Sequence, residues 1–281
     1  MDWRREIARV RIRMLESAAQ QAVCPVYGIE GYRAAPVGSG FLLQVKDDVF
    51  FITAAHVLHE RHDCTLHIPG AGKPVPLEGT AYGTGLLRPT AAPNFQHDLA
   101  FLKLKPELRD QITGSRILTP GDFAVDDLPA AATLYGFVGF PAEINRPSPD
   151  RKLQRSSIYY GCQPAAKSAY EWLRYDMRTH FVGEFDRANV VDGRGRIVEG
   201  PSPKGMSGGP VWNLGKIPDA MAGETTPAVI GIMIEWWEEK EWLVGLRIAL
   251  VTEAIRQIVP HLADALPQSQ NFKANVSVSE F

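Results

Sequence analysis

From Val26 onward the chain is cut into short apolar runs, many of them rich in β-branched or aromatic residues, by turns of glycine, proline and paired charges. Gly38-Ser39-Gly40 leads into Phe41-Leu42-Leu43-Gln44-Val45, Lys46-Asp47-Asp48 makes a turn, and Val49-Phe50-Phe51-Ile52-Thr53 returns. Leu99–Leu104, Ala132–Phe140, Thr179–Phe185, Val229–Trp236 and Trp242–Ile248 repeat the pattern. Runs this short bury an apolar face only by pairing with one another, so the pattern predicts an all-β barrel or sandwich. The two ends read differently. Residues 3–21 place Ile7, Val10, Met14 and Ala18 at helical intervals beside Arg4, Arg5, Arg9 and Arg13, which predicts an N-terminal helix. Packing of its apolar face on the domain is preferred to a membrane or partner contact. A C-terminal helix is predicted over Val251–Leu262, with Ile255, Ile258, Val259 and Leu262 on one face. The tail after Pro267 is polar and expected to be loose. Ala142–Pro203 is the least readable stretch: Arg146–Lys152 is a solvated loop, with strands expected around Ser156–Cys162 and Thr179–Asp186.

Composition narrows the class. The 281 residues suffice for one large β domain or two ordinary ones, and 45% of them are hydrophobic. With 30 basic and 32 acidic residues the net charge is −2, without the basic excess of a nucleic-acid protein. No stretch is long and apolar enough to span a bilayer. Cys24, Cys64 and Cys162 are odd in number, form no CxxC pair and, like the histidines, miss zinc-ligand spacing, so neither metal nor cofactor is expected. Each cysteine reads as a small, half-buried apolar residue. The charged start Met1-Asp2-Trp3-Arg4-Arg5-Glu6-Ile7 is a poor secretory signal, and a chain without a disulfide framework suits a reducing compartment. A cytoplasmic location is therefore expected.

Three segments carry chemistry. Phe50-Phe51-Ile52-Thr53-Ala54-Ala55-His56-Val57 is an apolar strand that ends in small residues and delivers a histidine. His97-Asp98-Leu99-Ala100-Phe101-Leu102-Lys103-Leu104 sets an aspartate at the start of a strand whose continuation is buried. Gly205-Met206-Ser207-Gly208-Gly209-Pro210-Val211-Trp212 is the most specific. Its glycines let the backbone turn so that two N–H groups face one point beside a hydroxyl. Pro210 fixes φ and keeps a helix from starting there.

The segments TAAHV, DLAFLKL and GMSGGPV resemble, in that order, the three signatures of trypsin-like serine proteases. The resemblance covers Val26–Leu262 and is weak between Ala142 and Pro203. It implies two six-stranded antiparallel β-barrels of the trypsin/chymotrypsin type: an extension over 1–25, a first barrel over 26–128, a second with the C-terminal helix over 129–266, and a tail over 267–281. It implies a serine endopeptidase acting on a protein or peptide through an acyl-enzyme, with His56 as general base, Asp98 as its orienting partner and Ser207 as nucleophile. The N–H groups of Gly205 and Ser207 would form the oxyanion hole. The disulfide-poor pattern is most similar to the bacterial and heat-shock branch. Gly38–Phe41 resembles the strand before the histidine strand, Tyr135–Pro141 the opening strand of the second barrel, and Val229–Ile232 the strand that binds substrate backbone.

Two departures matter. The digestive branch has an aspartate immediately before the nucleophile, which pairs with a freed N-terminus. Here Met206 stands there, so the hole is held by other contacts or ordered by an activating protein partner. Six residues before Ser207 stands Pro201, not the carboxylate that selects Arg or Lys. With Ile234, Glu235 and Trp236 it outlines a substrate site expected to be shallow and apolar, to which Glu235 can add a charge. Gly205–Gly209 also fits the G-x-S-x-G elbow of α/β-hydrolases, with Asp219 and His261 downstream. Gly208-Gly209-Pro210 cannot begin a helix, however, and no alternating strands and helices precede it. The remaining rivals are a catalytically silent binding module on the same fold and a regulated effector cutting one protein. His59, His62, His67, His97, His180 and His261 read as surface or loop residues, with His97 directed away from the Asp98 side chain. Trp236, Trp237 and Trp242 read as core in preference to a substrate-facing patch.

Overall fold

A computed structural model describes residues 19–31, 33–60, 64–85, 97–112, 114–146, 155–192, 196–216, 219, 225–271 and 276–280. The predicted helix over 3–21 lies almost wholly outside them. Its described end is a single turn, Gln20–Ala22, with Ala19 and Ala22 fully buried.

The first half of the chain forms β1 (Val23–Glu30), β2 (Arg33–Val45), β3 (Asp48–Thr53), β4 (Thr65–Pro69), β5 (Pro74–Pro76), β6 (Gly79–Gly83) and β7 (Ala100–Leu104), with a helical turn α1 (Ala55–His59) after β3. The unbroken apolar run of β3 is buried from Val49 to Thr53, because β2 flanks it on one side and β7 on the other. The second half forms β8 (Thr133–Gly139), β9 (Ile158–Pro164), α2 (Lys167–Leu173), β10 (His180–Glu184), a small ladder of β11 (Val190–Val191) with β12 (Ile197–Val198), β13 (Pro210–Lys216), β14 (Ala228–Trp237) and β15 (Trp242–Arg247). β8, β9, β10, β15, β14 and β13 close into a six-stranded barrel. α3 (Ile248–Ile258) and a last short strand, β16 (Ser279–Glu280), complete the elements.

The all-β, two-barrel architecture read from the sequence is the one adopted. The first body is an eight-stranded sheet in the order β16-β6-β7-β3-β2-β1-β4-β5, not a closed six-stranded ladder, among the described residues. Three details correct the sequence reading. α3 starts at Ile248, directly after β15, and ends at Ile258, because Val259 precedes Pro260 and leaves the helical region. The tail is held wherever it is described: Asp126 accepts bonds from the Ser269 hydroxyl and the Gln270 N–H, Val276 is buried, and Ser279–Glu280 pair with Tyr82–Gly83. His180 is buried and not at the surface, since it opens the barrel strand β10. None of the three cysteines is in a disulfide; Cys24 and Cys162 are buried and Cys64 half-buried. Trp237 and Trp242 pack on the main core and Trp236 on the second barrel's own cluster.

The two halves meet at Ser39, which is fully buried in β2. Its N–H donates to the Ser207 carbonyl at 2.8 Å. Its hydroxyl donates to the Gly205 carbonyl at 2.8 Å and accepts from the Phe140 N–H at 2.9 Å. Its own carbonyl accepts from the Thr53 hydroxyl at 2.7 Å. The parallel bridge Phe123↔Val229, with the Ala124 N–H donating to the Val229 carbonyl at 2.9 Å, ties the connecting segment to β14.

Replacing Ser39 with alanine strands the buried Phe140 N–H and the Gly205 carbonyl. A buried group left without its partner costs about 1–3 kcal/mol. The unfolding free energy of Ser39→Ala is therefore expected to fall by that amount, read as a lower urea midpoint with an unchanged slope; an unshifted midpoint would show that the seam does not depend on this hydroxyl.

Candidate active site

The site begins where β3 stops. Ala54 and Ala55 are buried and small, so the chain turns at once into α1, and Val57 packs against Gly38 of β2. His56 therefore emerges from a fixed base with its side chain 40% exposed. Asp98 arrives from the segment before β7. Thr84 pins that segment: the Leu99 N–H donates to the Thr84 hydroxyl, the Thr84 N–H donates to the Leu99 carbonyl, and the hydroxyl also donates to the His97 carbonyl. The carboxylate takes His56 with both oxygens. Oδ1 accepts the His56 backbone N–H at 2.9 Å, and Oδ2 lies 2.5 Å from ring Nδ1. This two-point grip fixes ring and backbone together and assigns the proton to Nδ1, leaving Nε2 as the acceptor. Burial alone would push the His56 pKa down. The bond and charge of Asp98, reinforced by the carboxylates of Glu60 and Glu235, outweigh burial, and the net displacement is upward from 6.5.

Ser207 comes from the other barrel. Gly205 and Gly208 adopt φ of +93° and +85°, which a side chain would strain. Gly208 has a second constraint: a Cβ there would lie 2.0 Å from the Thr53 hydroxyl and 2.2 Å from the Ser39 carbonyl. The loop is thus seated on the strand end that delivers His56, and Ser207 is half-buried beside it. Met206 is fully buried against Gly139. The Ala142 N–H donates to the Lys204 carbonyl at 2.7 Å, Ser39 holds the Gly205 and Ser207 carbonyls, and the Gly209 N–H holds that of Met206. Four consecutive carbonyls are thereby tied away. The N–H groups of Gly205 and Ser207 have no partner among the described residues, whereas the Met206 and Gly208 N–H groups bond to Pro203 and Met233.

Beyond Met233, whose N–H donates to the Gly209 carbonyl at 2.8 Å, β14 continues along an open edge. Glu235, Trp236 and Trp237 pair with β15 on one side, and no strand is described on the other. Ile234 is buried. Glu235 is half-buried, and its Oε2 accepts the Tyr175 hydroxyl at 3.0 Å. Trp236 lines a cavity of about 200 Å³ with Phe185, Arg187 and Glu199. Pro201 is not in its wall; the Pro201 carbonyl accepts the Tyr160 hydroxyl instead. The structure gathers His56, Asp98, Gly205 and Ser207 around one seam, with Glu235 close enough for its charge to act on His56. It does not bring Pro201 and Trp236 together in a described cavity. Sequence reasoning missed Thr84, Tyr175 and His180. Tyr175 and His180 stack at 4.0 Å between ring centres, nearly parallel, and His97 lies 6.0 Å from His180. None of the three sits in a motif, so only the fold brings them to the site. Among the described residues no group of three or more His, Cys, Asp or Glu side chains could hold a metal ion, and no helix is long and apolar enough to cross a membrane.

Comparisons with known proteins bear on the family and the fold. A model of the trypsin-like peptidase domain matches residues 38–216, more than half of the chain. Among solved structures, neuropsin, a serine protease expressed in the limbic system of mouse brain, matches with 12% identity over 85% of this chain and 95% of its own, at a TM-score of 0.53. At that identity the likeness shows the fold alone. A structure from work on the Sesbania mosaic virus VPg protein matches with 13% identity over 82% of this chain and 87% of its own, at a TM-score of 0.44. No curated protein sequence matches significantly. On the family match the chain belongs to the trypsin-like peptidase family.

Proposed function

We propose that the protein is a serine endopeptidase with His56, Asp98 and Ser207 as its catalytic triad and the Gly205 and Ser207 N–H groups as its oxyanion hole. The observation that carries this reading is the state of the nucleophile loop, with four carbonyls tied back and two N–H donors left without a partner among the described residues, beside the Ser207 hydroxyl. Ser207 Oγ attacks the peptide carbonyl while His56 Nε2 takes its proton. The carbonyl oxygen, now an anion, accepts from the two N–H groups. The tetrahedral intermediate collapses, His56 returns the proton to the leaving amine, and water releases the acyl group by the same steps. Among the described residues no hydrogen bond joins the Ser207 hydroxyl to the His56 ring; such bonds tighten when substrate enters. An extended peptide would add as a strand to the open edge Ile234–Trp237.

The same loop geometry favours an active enzyme over a catalytically silent module. The lack of a disulfide among Cys24, Cys64 and Cys162 suits a reducing compartment, which we take to be the bacterial cytoplasm.

A fluorophosphonate probe is expected to label wild type stoichiometrically at Ser207 and to leave Ser207→Ala unlabelled. Casein hydrolysis should fall to background in that variant and by about 10⁴-fold in Asp98→Asn, which leaves the imidazole in the wrong tautomer. Labelling without casein cleavage would point to an effector with one protein target. An unlabelled, folded wild type would overturn the reading.

The pH dependence follows from His56. The neutral ring is the base, so the labelling rate should rise with pH through a midpoint above 6.5. In Glu60→Gln, with one neighbouring carboxylate gone, that midpoint should move down. A midpoint at or below 6.5 in wild type would show that burial outweighs the carboxylates.

A further inference from the structure

Resting on the peptidase reading above, we infer that Glu235 is a specificity residue that selects a cationic side chain on the acyl side of the scissile bond, within the two residues before the one whose carbonyl is attacked. Four observations lead there. Met233 exchanges backbone bonds with Gly208 and Gly209, so Glu235, two residues further on, stands on the open edge just past the nucleophile loop. That edge is where the acyl part of an extended substrate would pair, and the residue next to the attacked one then passes between the edge and the His56 ring. The carboxylate is aimed: Tyr175 holds Oε2 at 3.0 Å, and the Tyr175 ring is itself fixed by stacking on buried His180. Burial, together with the Glu235 charge, pushes the Tyr175 pKa well up, so its hydroxyl stays a donor. Oε1 is without a partner among the described residues, leaving one acceptor for a ligand.

Among the described residues, the charges that raise the His56 pKa are the carboxylates of Asp98, Glu60 and Glu235. Asp98 is committed to His56 through both oxygens, and Glu60 is exposed at the end of α1. Glu235 is therefore the carboxylate that is half-buried, oriented and still able to accept. A Lys or Arg side chain laid along the edge would find a half-buried carboxylate there, where attraction is screened less than at the open surface. Pro201, six residues before Ser207, supplies no carboxylate, and the cation preference is assigned to the one or two residues earlier in the substrate, where Glu235 stands on the edge.

The test compares matched peptides that differ only by Lys or Met at those two positions. Wild type should favour Lys by about tenfold in kcat/KM, the effect of roughly one screened, partly buried charge pair. Glu235→Gln should bring the ratio to about one, and Tyr175→Phe, which frees the carboxylate, should give an intermediate ratio. Any effect of Glu235 on His56 acts on both peptides alike and cancels in the ratio. A wild-type ratio near one, or a Lys preference that survives in Glu235→Gln, would overturn the inference. Binding of the same peptides to Ser207→Ala, followed by fluorescence anisotropy, separates it from the peptidase reading. If wild type cleaves nothing, the peptidase reading fails. Tighter binding of the Lys peptide, lost when Glu235→Gln is added, would then still support a cation-selecting Glu235, and equal binding would overturn it.

Discussion

At Ser39 a strand of the first half is bonded to the loop that carries Ser207 through its N–H and hydroxyl, to the end of β8 through the same hydroxyl, and to β3 through its carbonyl. A candidate site whose residues come from both halves of the chain needs such a joint, because a shift of about 1 Å between reacting groups is enough to misplace a nucleophile. The neighbours of Ser39 are set by the same requirement. A Cβ at Gly40 would lie 2.2 Å from the Phe51 ring and 2.6 Å from the Ile52 carbonyl, and one at Gly38 would overlap Val57. Gly-Ser-Gly is thus the sequence that lets β2 pass between the histidine strand and the nucleophile loop while its serine presents a carbonyl to the one and a hydroxyl to the other.

Met206 shows how the loop is held without a charge. An aspartate buried at that position would need a cation brought to it, because an unpaired carboxylate in an apolar interior is strongly destabilising. Met206 packs on Gly139 among apolar residues, and the orientation of the loop comes from neutral bonds: Ala142 to Lys204, Ser39 to Gly205, Gly209 to Met206. Among the described residues the loop is thus held by contacts within the folded chain, with no buried carboxylate at this position.

The core strands and the three reactive segments were legible because each is written locally. Unbroken apolar runs such as Phe50–Thr53 and Val229–Ile234 announce strands buried on both faces, and Gly205–Pro210 announces a turn with special φ. The ends of elements were less so. α3 starts at Ile248 and stops before Pro260, and the tail is captured by Asp126 and by pairing with β6, through partners that lie far along the chain. The same holds for Thr84 beside Asp98 and for the His180–Tyr175–Glu235 stack. His180 reads as an ordinary polar residue until β10 is seen to bury it, and Tyr175 has no motif to mark it. Specificity was the least legible part, because it depends on which side chains the two barrels and the segment after α2 bring to one edge.

His56 ties stability and the proposed chemistry to pH in opposite senses. Its pKa is raised above 6.5 in the folded chain because Asp98, Glu60 and Glu235 favour the imidazolium more than burial disfavours it. A raised folded value means that the stabilisation is fully present below the unfolded value near 6.5 and is lost as pH rises through the folded one. The base needed to activate Ser207 is the neutral ring, which appears only across that same upper range. The carboxylates that shift the working range upward are also those that stabilise the imidazolium formed when the proton is taken from Ser207. A site with three carboxylates around one histidine therefore trades some neutral base at mild pH for a better-stabilised charged intermediate, and a cationic substrate side chain at Glu235 would offset one of those charges during the reaction.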